Sequence, residues 1–235
     1  MYSTESLEII VTGDGSHSIL NTNLDEAYHS RHGALAESTH VFINNGLEYE
    51  SQQTGSLNIL EVGLGSGLNL LLSIQWAART GIKLRYLALE PYPVPGPVWK
   101  ALNYSNLPGT RSAFNRIHDS DWNTWLEIEN VALFKSKEKL EDALLPASSF
   151  NVVYYDPFAS VKQQEMWTAS MLKKVVEAMK SGGAFVTYAA TGQLRRDLKQ
   201  LGLSVERLVG APGKKEMTRG VKPNSPQGIL QSISE

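Results

Sequence analysis

The chain has no cysteine, which excludes disulfides, thiolate metal sites and a cysteine nucleophile, and fits a reducing cytoplasm. No segment approaches the roughly 20 apolar residues of a membrane span. The N-terminus, MYSTESLEII, has neither the basic start nor the long apolar run of a secretory signal. Charge of one sign is also missing. With 22 Lys+Arg against 24 Asp+Glu the net charge is −2, so any surface for a polyanion has to be a local patch. Neither repeats nor low-complexity tracts occur. What remains, 42% hydrophobic and 20% charged over 235 residues, is the composition of a soluble, cytoplasmic chain able to bury a proper core in one large domain.

The periodicities divide that chain. Residues 7–21 flank the turn-rich TGDGS and read as a β-hairpin, and residues 33–44 carry apolar positions at helical spacing. From 57 onward strand and helix alternate. Strands are expected at 57–62, 83–90, 131–135, 150–156, 183–189, 203–209 and 214–220. Helices are expected at 68–80, 93–105 and 192–201, with an amphipathic helix over 164–180 ended by Ser181-Gly182-Gly183. The division is an N-terminal hairpin and helix extension over 1–55, a main domain over 56–221 and a fraying tail over 222–235. Such alternation predicts an α/β fold, a parallel sheet with helices on both faces and a ligand site at the carboxyl ends of its strands.

Three candidate segments fall at those ends. The first is Glu61-Val62-Gly63-Leu64-Gly65-Ser66-Gly67, where glycine lets a ligand approach the backbone without interference from Cβ. A dinucleotide loop needs G-x-G-x-x-G, and here the third glycine sits one place early, with Leu68 in its position. The pattern E-x-G-x-G-x-G instead suits S-adenosylmethionine, although a nicotinamide dehydrogenase stays open. The second is Glu90, 23 residues after Gly67, whose carboxylate suits ribose hydroxyls in either class. The third is Asp156-Pro157-Phe158. In a methyltransferase sheet it resembles the Asp/Asn-Pro-Pro-Tyr/Phe loop of enzymes that methylate amino nitrogens. A protonated amine has no lone pair, and a carboxylate can orient it by hydrogen bonding and take or relay its proton, while Phe158 supplies an apolar wall.

Longer stretches carry a more specific likeness. YYDPFASVKQQEMWTASML, SGGAFVTYAATGQLRRDLKQLGLSV and GAPGKKEMTRG, in that order, resemble the methyltransferase domain of the MnmC family of tRNA wobble-uridine modification enzymes. Glu61–Asn69 with its Leu68-Asn69, Glu90-Pro91-Tyr92-Pro93 and HGALAESTHVFI (residues 32–43) match further motifs of that family, so the likeness covers roughly residues 7–221. It implies a Rossmann-like class I methyltransferase sheet, S-adenosyl-L-methionine as cofactor, and N-methylation of a 5-aminomethyl group on the wobble uridine of tRNA to 5-methylaminomethyl-(2-thio)uridine. The residues implied for the cofactor are Glu61, Gly63, Gly65, Gly67, Asn69, Glu90, Pro91 and Asp156, with Asp156 and Phe158 at the reacting end. Many relatives in the family carry an additional FAD-dependent oxidase domain, for which 235 residues leave no room. A stand-alone form is therefore expected, with a separate enzyme supplying the aminomethyl intermediate.

The family's acid beside adenine is replaced near Lys135-Ser136, leaving Glu138 as a substitute candidate. The family Asp-Gly is Asp156-Pro157 here, and its Ala-Pro is Ala159-Ser160.

For the substrate, residues 191–222 hold eight Lys/Arg against three acids, a local excess that could face the phosphates of an anticodon loop. Arg195, Arg196, Lys214 and Lys215 are the candidate RNA contacts. Trp167, with Phe158, Tyr188 and Tyr92, could shelve an unstacked base. His29 and His32 read as surface or substrate-side groups rather than metal ligands, because no third ligand is evident. Two other readings stay open: a methyltransferase acting on a small-molecule or protein amine, and a catalytically silent module that binds tRNA or cofactor.

Overall fold

The structure, a computed structural model, describes residues 6–51 and 55–224, so most of the tail expected to fray lies outside the described residues. Three short strands, β1 (Leu7–Val11), β2 (His17–Asn21) and β3 (Glu26–Ala27), form an antiparallel sheet that contains the expected hairpin. Its turn does more than reverse the chain. Thr12 Oγ1, Ser16 Oγ and Asp14 Oδ2 accept from the amides of Ala34, Leu35 and Ala36 at 3.2, 3.1 and 2.9 Å. Those amides open α1 (Ala34–Ser38) and lack partners within the helix. The hairpin therefore caps the helix, and the Asp14 carboxylate suits its positive end. The helical path is longer than the expected 33–44, because α1 runs on through a π-helical stretch, Thr39–Leu47, into α2 (Glu48–Glu50).

The main sheet has eight strands, and helices α3 (Leu68–Thr80), α4 (Gly96–Lys100), α5 (Arg111–Asp119), α6 (Ala169–Ala178) and α7 (Gly192–Gln200) lie between them in sequence. Five strands are parallel: β7 (Val131–Ser136), β5 (Lys83–Leu89), β4 (Ser56–Val62), β8 (Phe150–Tyr155) and β9 (Met179–Thr187), in that spatial order. Two hairpins make the sheet mixed rather than all-parallel. β6 (Trp125–Ile128) folds back on β7, and β11 (Glu216–Val221) lies antiparallel to both β9 and β10 (Ser204–Val209).

Every residue of β8 is buried, as a central strand covered on both faces requires. Alternate residues serve opposite faces. Ile59, Tyr86, Tyr154 and Val186 join one core with α3 and the N-terminal elements, while Leu60, Val62, Val153 and Phe185 join the other with α6 and α7.

Three local expectations change. Helix α6 stops at Ala178 and the chain passes directly into β9, so Gly182 and Gly183 are strand residues and not a helix end. A Cβ on Gly183 would sit 2.9 Å from the Asn151 carbonyl, so glycine serves close strand approach where the β8–β9 register shifts. In 93–105 only Gly96–Lys100 is α-helical, followed by a 3-10 turn at Asn103–Asn106. Helix α5 and strand β6 were not expected. The apolar positions of α5 that become buried are only Ala113, Phe114 and Ile117, in an otherwise polar stretch.

Candidate active site

β4 lies between β5 and β8, where the direction of chain progression across the sheet reverses. This is the point at which an open α/β sheet leaves a crevice above its strands. A cavity of about 790 Å³ opens there, lined by Gly63 and Gly65 after β4, Glu90 and Pro91 after β5, Asp156 and Phe158 after β8, and Tyr188 after β9.

The glycine turn is dictated by its surroundings. Gly63, Gly65 and Gly67 have φ of +93°, +52° and +77°, which side chains other than glycine rarely adopt. A Cβ on Gly63 would lie 2.7 Å from the Asp156 carbonyl oxygen, so the turn and the loop after β8 are in direct backbone contact. Glu90 organises the turn from the other side: Oε2 accepts from the Gly65 amide and Oε1 from the Tyr92 amide, both at 2.9 Å. Burial raises the Glu90 pKa, and these two amides pull it back. His29 shares a 2.9 Å hydrogen bond with Ser66 Oγ, and His118, stacked on Trp99, contacts the Ser66 carbonyl at 3.2 Å. Burial holds both imidazoles near pKa 4, hence neutral.

The loop after β8 is equally fixed. The Asp156 amide donates to the Val62 carbonyl at 3.0 Å, and Tyr188 Oη donates to the Pro157 carbonyl at 2.9 Å. The Phe158 amide donates to Gln163 Oε1 at 3.1 Å, and Trp167 Nε1 donates to the Phe158 carbonyl at 2.8 Å. Asn69, on α3, donates through Nδ2 to Asp156 Oδ2 at 2.8 Å. Burial pushes the Asp156 pKa well up, and nearby Glu37 adds to the rise, while Asn69 and Lys214 oppose it.

Glu37 belongs to α1 and is buried. Its Oε1 accepts from the Ser30 amide at 2.9 Å, and its Oε2 meets Lys214 Nζ at 2.6 Å. Lys214 also stands 4.1 Å over the Tyr188 ring, and Tyr28 packs edge-on against Phe158 at 5.1 Å. The N-terminal elements thus supply Tyr28, His29 and Glu37 to the cavity wall. Sequence reasoning gave Tyr28 and Glu37 no role, although Glu37 lies inside the 32–43 motif. His29 is buried against the glycine turn rather than on the surface, whereas exposed His32 lines the cavity.

Several expected residues lie elsewhere. Glu61 is fully buried beneath the turn, on the opposite face of β4 from Val62. Its oxygens make no hydrogen bond of good geometry, and burial raises its pKa well above normal, while Tyr86 and Asn69 close by oppose the rise. Gly67 and Asn69 act from below the cavity rather than in its lining, and Trp167 braces Phe158 from behind. Glu138 lines a separate cavity of about 380 Å³ beside Trp125 and Phe134. Lys135 turns away, its Nζ donating to the carbonyls of Ile117 and Ser120.

The basic run is largely compensated. Arg195 and Arg207 both pair with Glu216, Arg219 pairs with Glu206, and Lys222 donates to the Val176 and Met179 carbonyls. Exposed Arg196 donates to Gln193, and Lys199 and Lys215 are exposed as well. Of the four candidate RNA contacts, only Lys214 reaches the cavity. Among the described residues no group of three or more potential ligands is placed to hold a metal, and no helix is long and apolar enough to cross a membrane.

A parallel-centred sheet with a left-handed glycine turn after its middle strand and a carboxylate after each neighbour defines an α/β protein that binds a nucleoside-type cofactor. The comparisons with known proteins narrow this. A family model described as S-adenosyl-L-methionine-dependent methyltransferase matches residues 101–223, just over half of the chain, and the chain belongs to that family.

Over 210 residues the chain is 30% identical to the "tRNA 5-methylaminomethyl-2-thiouridine biosynthesis bifunctional protein MnmC" of Cupriavidus necator, spanning 83% of this chain and 31% of that one. The protein of the same name from Marinomonas sp. is 27% identical, over 100% of this chain and 36% of its own. The chain thus spans about a third of the length of the curated relatives it matches. Its fold is shared with MnmC2 from Aquifex aeolicus, at a TM-score of 0.77 and 21% identity, over 97% of this chain and 75% of that one.

The residues present fit S-adenosylmethionine. Gly65 presents bare backbone in the cavity, where a Cβ would lie 3.0 Å from the Tyr28 ring. Each Glu90 oxygen, with one amide already bound, keeps acceptor capacity for a ribose hydroxyl.

Proposed function

We propose that the chain methylates the primary amine of a 5-aminomethyl group on the wobble uridine of tRNA, giving 5-methylaminomethyl-(2-thio)uridine. The observation that carries this reading is the Asp156 carboxyl, held by Asn69 and walled by Phe158 and Tyr188 in the cavity that Gly63, Gly65 and Glu90 also line. The names of the MnmC relatives supply the substrate class.

In this reading the backbone at Gly63 and Gly65, with Glu90 and Pro91, would hold the cofactor. When bound, S-adenosylmethionine supplies an electrophilic methyl group. Asp156 accepts a hydrogen bond from the acceptor amine, fixes its lone pair and takes the proton that the nitrogen must lose. Phe158, with Tyr28 on its edge, keeps water from the nitrogen. The N-terminal extension completes the wall through Tyr28, His29 and Glu37, and the main domain over 56–221 carries the catalytic sheet. Arg196, Lys199 and Lys215 steer the RNA. The aminomethyl precursor comes from another enzyme, and the reaction takes place in the cytoplasm, where tRNA is modified.

The test is to incubate the protein and S-adenosylmethionine with tRNA from a strain lacking the modification, then analyse the nucleosides by mass spectrometry. The expected outcome is a gain of one methyl on aminomethyluridine. Cofactor binding with no such gain removes the assignment in favour of a silent module. A second reading, a small or protein-borne amine as acceptor, draws on the internal pairing of Arg195, Arg207 and Arg219, which leaves a modest basic surface. It predicts that polyanions and salt leave turnover unchanged.

A further inference from the structure

Lys214 belongs to the basic run, yet it points inward, with its Nζ 2.6 Å from Glu37 Oε2 and 4.1 Å over the ring of Tyr188. That ring is itself pinned, since its hydroxyl donates to the Pro157 carbonyl, one residue from Asp156. Glu37 is fixed by the Ser30 amide. Lys214, Glu37, Tyr188 and Asp156 all line one cavity, so they share the space that the proposed acceptor amine would enter. We propose that Lys214 is a positioning residue of the reaction and not an RNA contact: its ammonium, clamped between Glu37 and Tyr188 beside the loop that carries Asp156, favours the ionised form of that carboxyl and so its receiving the proton of the acceptor amine.

The physical need follows from the site's composition. The groups that act on Asp156 electrostatically are Glu37 from α1, Glu61 from β4, Tyr188 after β9, and Lys214. Glu26 from β3, Glu90 from β5, and Arg31, His32 and Lys139 line the same cavity. Two neighbouring acids, Glu37 and Glu61, oppose a further negative charge on Asp156 in a site of low dielectric. During transfer the nitrogen gains a methyl and gives up one proton, and a carboxyl already protonated cannot take it. Lys214 counters Glu37, and both act on Asp156 in opposite directions.

The proposal rests on the amine reading, and its test separates the two. The protein is prepared with ¹³C-labelled aspartate carboxyls, the Asp156 resonance is assigned with Asp156→Asn, and its titration is followed by NMR without substrate. The Asp156 midpoint is expected to move up in Lys214→Met, to return in Lys214→Arg and to move down in Glu37→Gln. Lys214 is partly exposed on a loop, so its variants are not expected to unfold the chain. An unmoved midpoint in Lys214→Met overturns the proposal.

On hypomodified tRNA, Lys214→Met is expected to raise the acidic limb of the pH–rate profile and cut kcat about tenfold at neutral pH with KM unchanged. A raised KM with kcat intact is the signature of an RNA contact and also overturns it. If the wild-type protein methylates no tRNA, the substrate reading falls, and the NMR titration still decides the role of Lys214.

Discussion

Asn69 Nδ2 donates to Asp156 Oδ2 at 2.8 Å, joining the first turn of α3 to the loop after β8 directly beneath the cavity. The side chain behind the glycine turn therefore orients the acid proposed to handle the acceptor's proton. Because this hydrogen bond lowers the Asp156 pKa, Asn69→Ala is expected to raise it further. The acidic limb of kcat then moves to higher pH, with cofactor affinity changed only a few-fold. A pH–rate series with calorimetric cofactor binding checks both halves.

Asp156→Asn separates chemistry from stability. Turnover is expected to fall about 10²-fold or more, with the cofactor still bound. Stability should move the other way. A carboxyl whose pKa is raised in the folded state binds protons more tightly there than in the unfolded chain. Its contribution is full below the unfolded value and is lost as pH rises through the folded one. At pH 8 the amide should therefore melt above the wild type, and at pH 4 the gain should vanish.

Glu61→Gln extends the same sign to a residue outside the cavity. Both Glu61 oxygens are buried without a well-formed hydrogen bond, and burial pushes the pKa well up against the opposing pull of Tyr86 and Asn69. A neutral amide removes the cost of ionisation, so Tm should rise at alkaline pH and change little in acid. Thermal melts between pH 4 and 9 read this out. A lower Tm across the range overturns this and assigns the carboxylate a stabilising contact with Tyr86 or Asn69.

The glycines can be told apart by what surrounds them. Gly63→Ala meets the Asp156 carbonyl at 2.7 Å in addition to its φ of +93°, whereas Gly81→Ala, at φ +75°, meets nothing within 4 Å. The second should cost about 1 kcal/mol of backbone strain. The first should cost more, roughly 2–4 kcal/mol, and weaken cofactor binding because it displaces the loop after β8. Urea unfolding and cofactor titration of the two variants give the comparison.

Charge reversal should sort the basic run by partner. Arg196→Glu and Lys215→Glu are expected to weaken tRNA binding and flatten its salt dependence without changing Tm. Arg195→Glu, which faces Glu216 from a largely buried position, is expected to lower Tm instead. Filter binding at several salt concentrations, alongside thermal melts, distinguishes the two behaviours.

Much of this was readable from residue order. Helix α3 spans the expected 68–80, and β4 and β5 fall within a residue of their expected limits, because glycine and a switch of hydrophobic period mark their ends. Gly63, Gly65, Glu90 and Asp156 do converge, since strand ends in a parallel sheet must. Partners distant in sequence were not readable. Counting charges placed Lys214 on an RNA face, but its direction depends on Glu37, which only folding brings near. Trp167 looked like a base shelf, yet its indole N–H braces a carbonyl from behind. The Ser181-Gly182-Gly183 helix stop failed because glycine serves close strand contact as well as helix ends.

The turn at Thr12–Ser16 gives the site an unexpected foundation. Its three side chains fasten the start of the helix that carries Glu37, and Glu37 is what Lys214 leans on. The leverage proposed on the Asp156 carboxyl therefore begins at a turn that does not line the cavity. Loosening that loop, as by Asp14→Ala, would be felt first as a drift in the pH at which the enzyme works, and only later as a loss of fold.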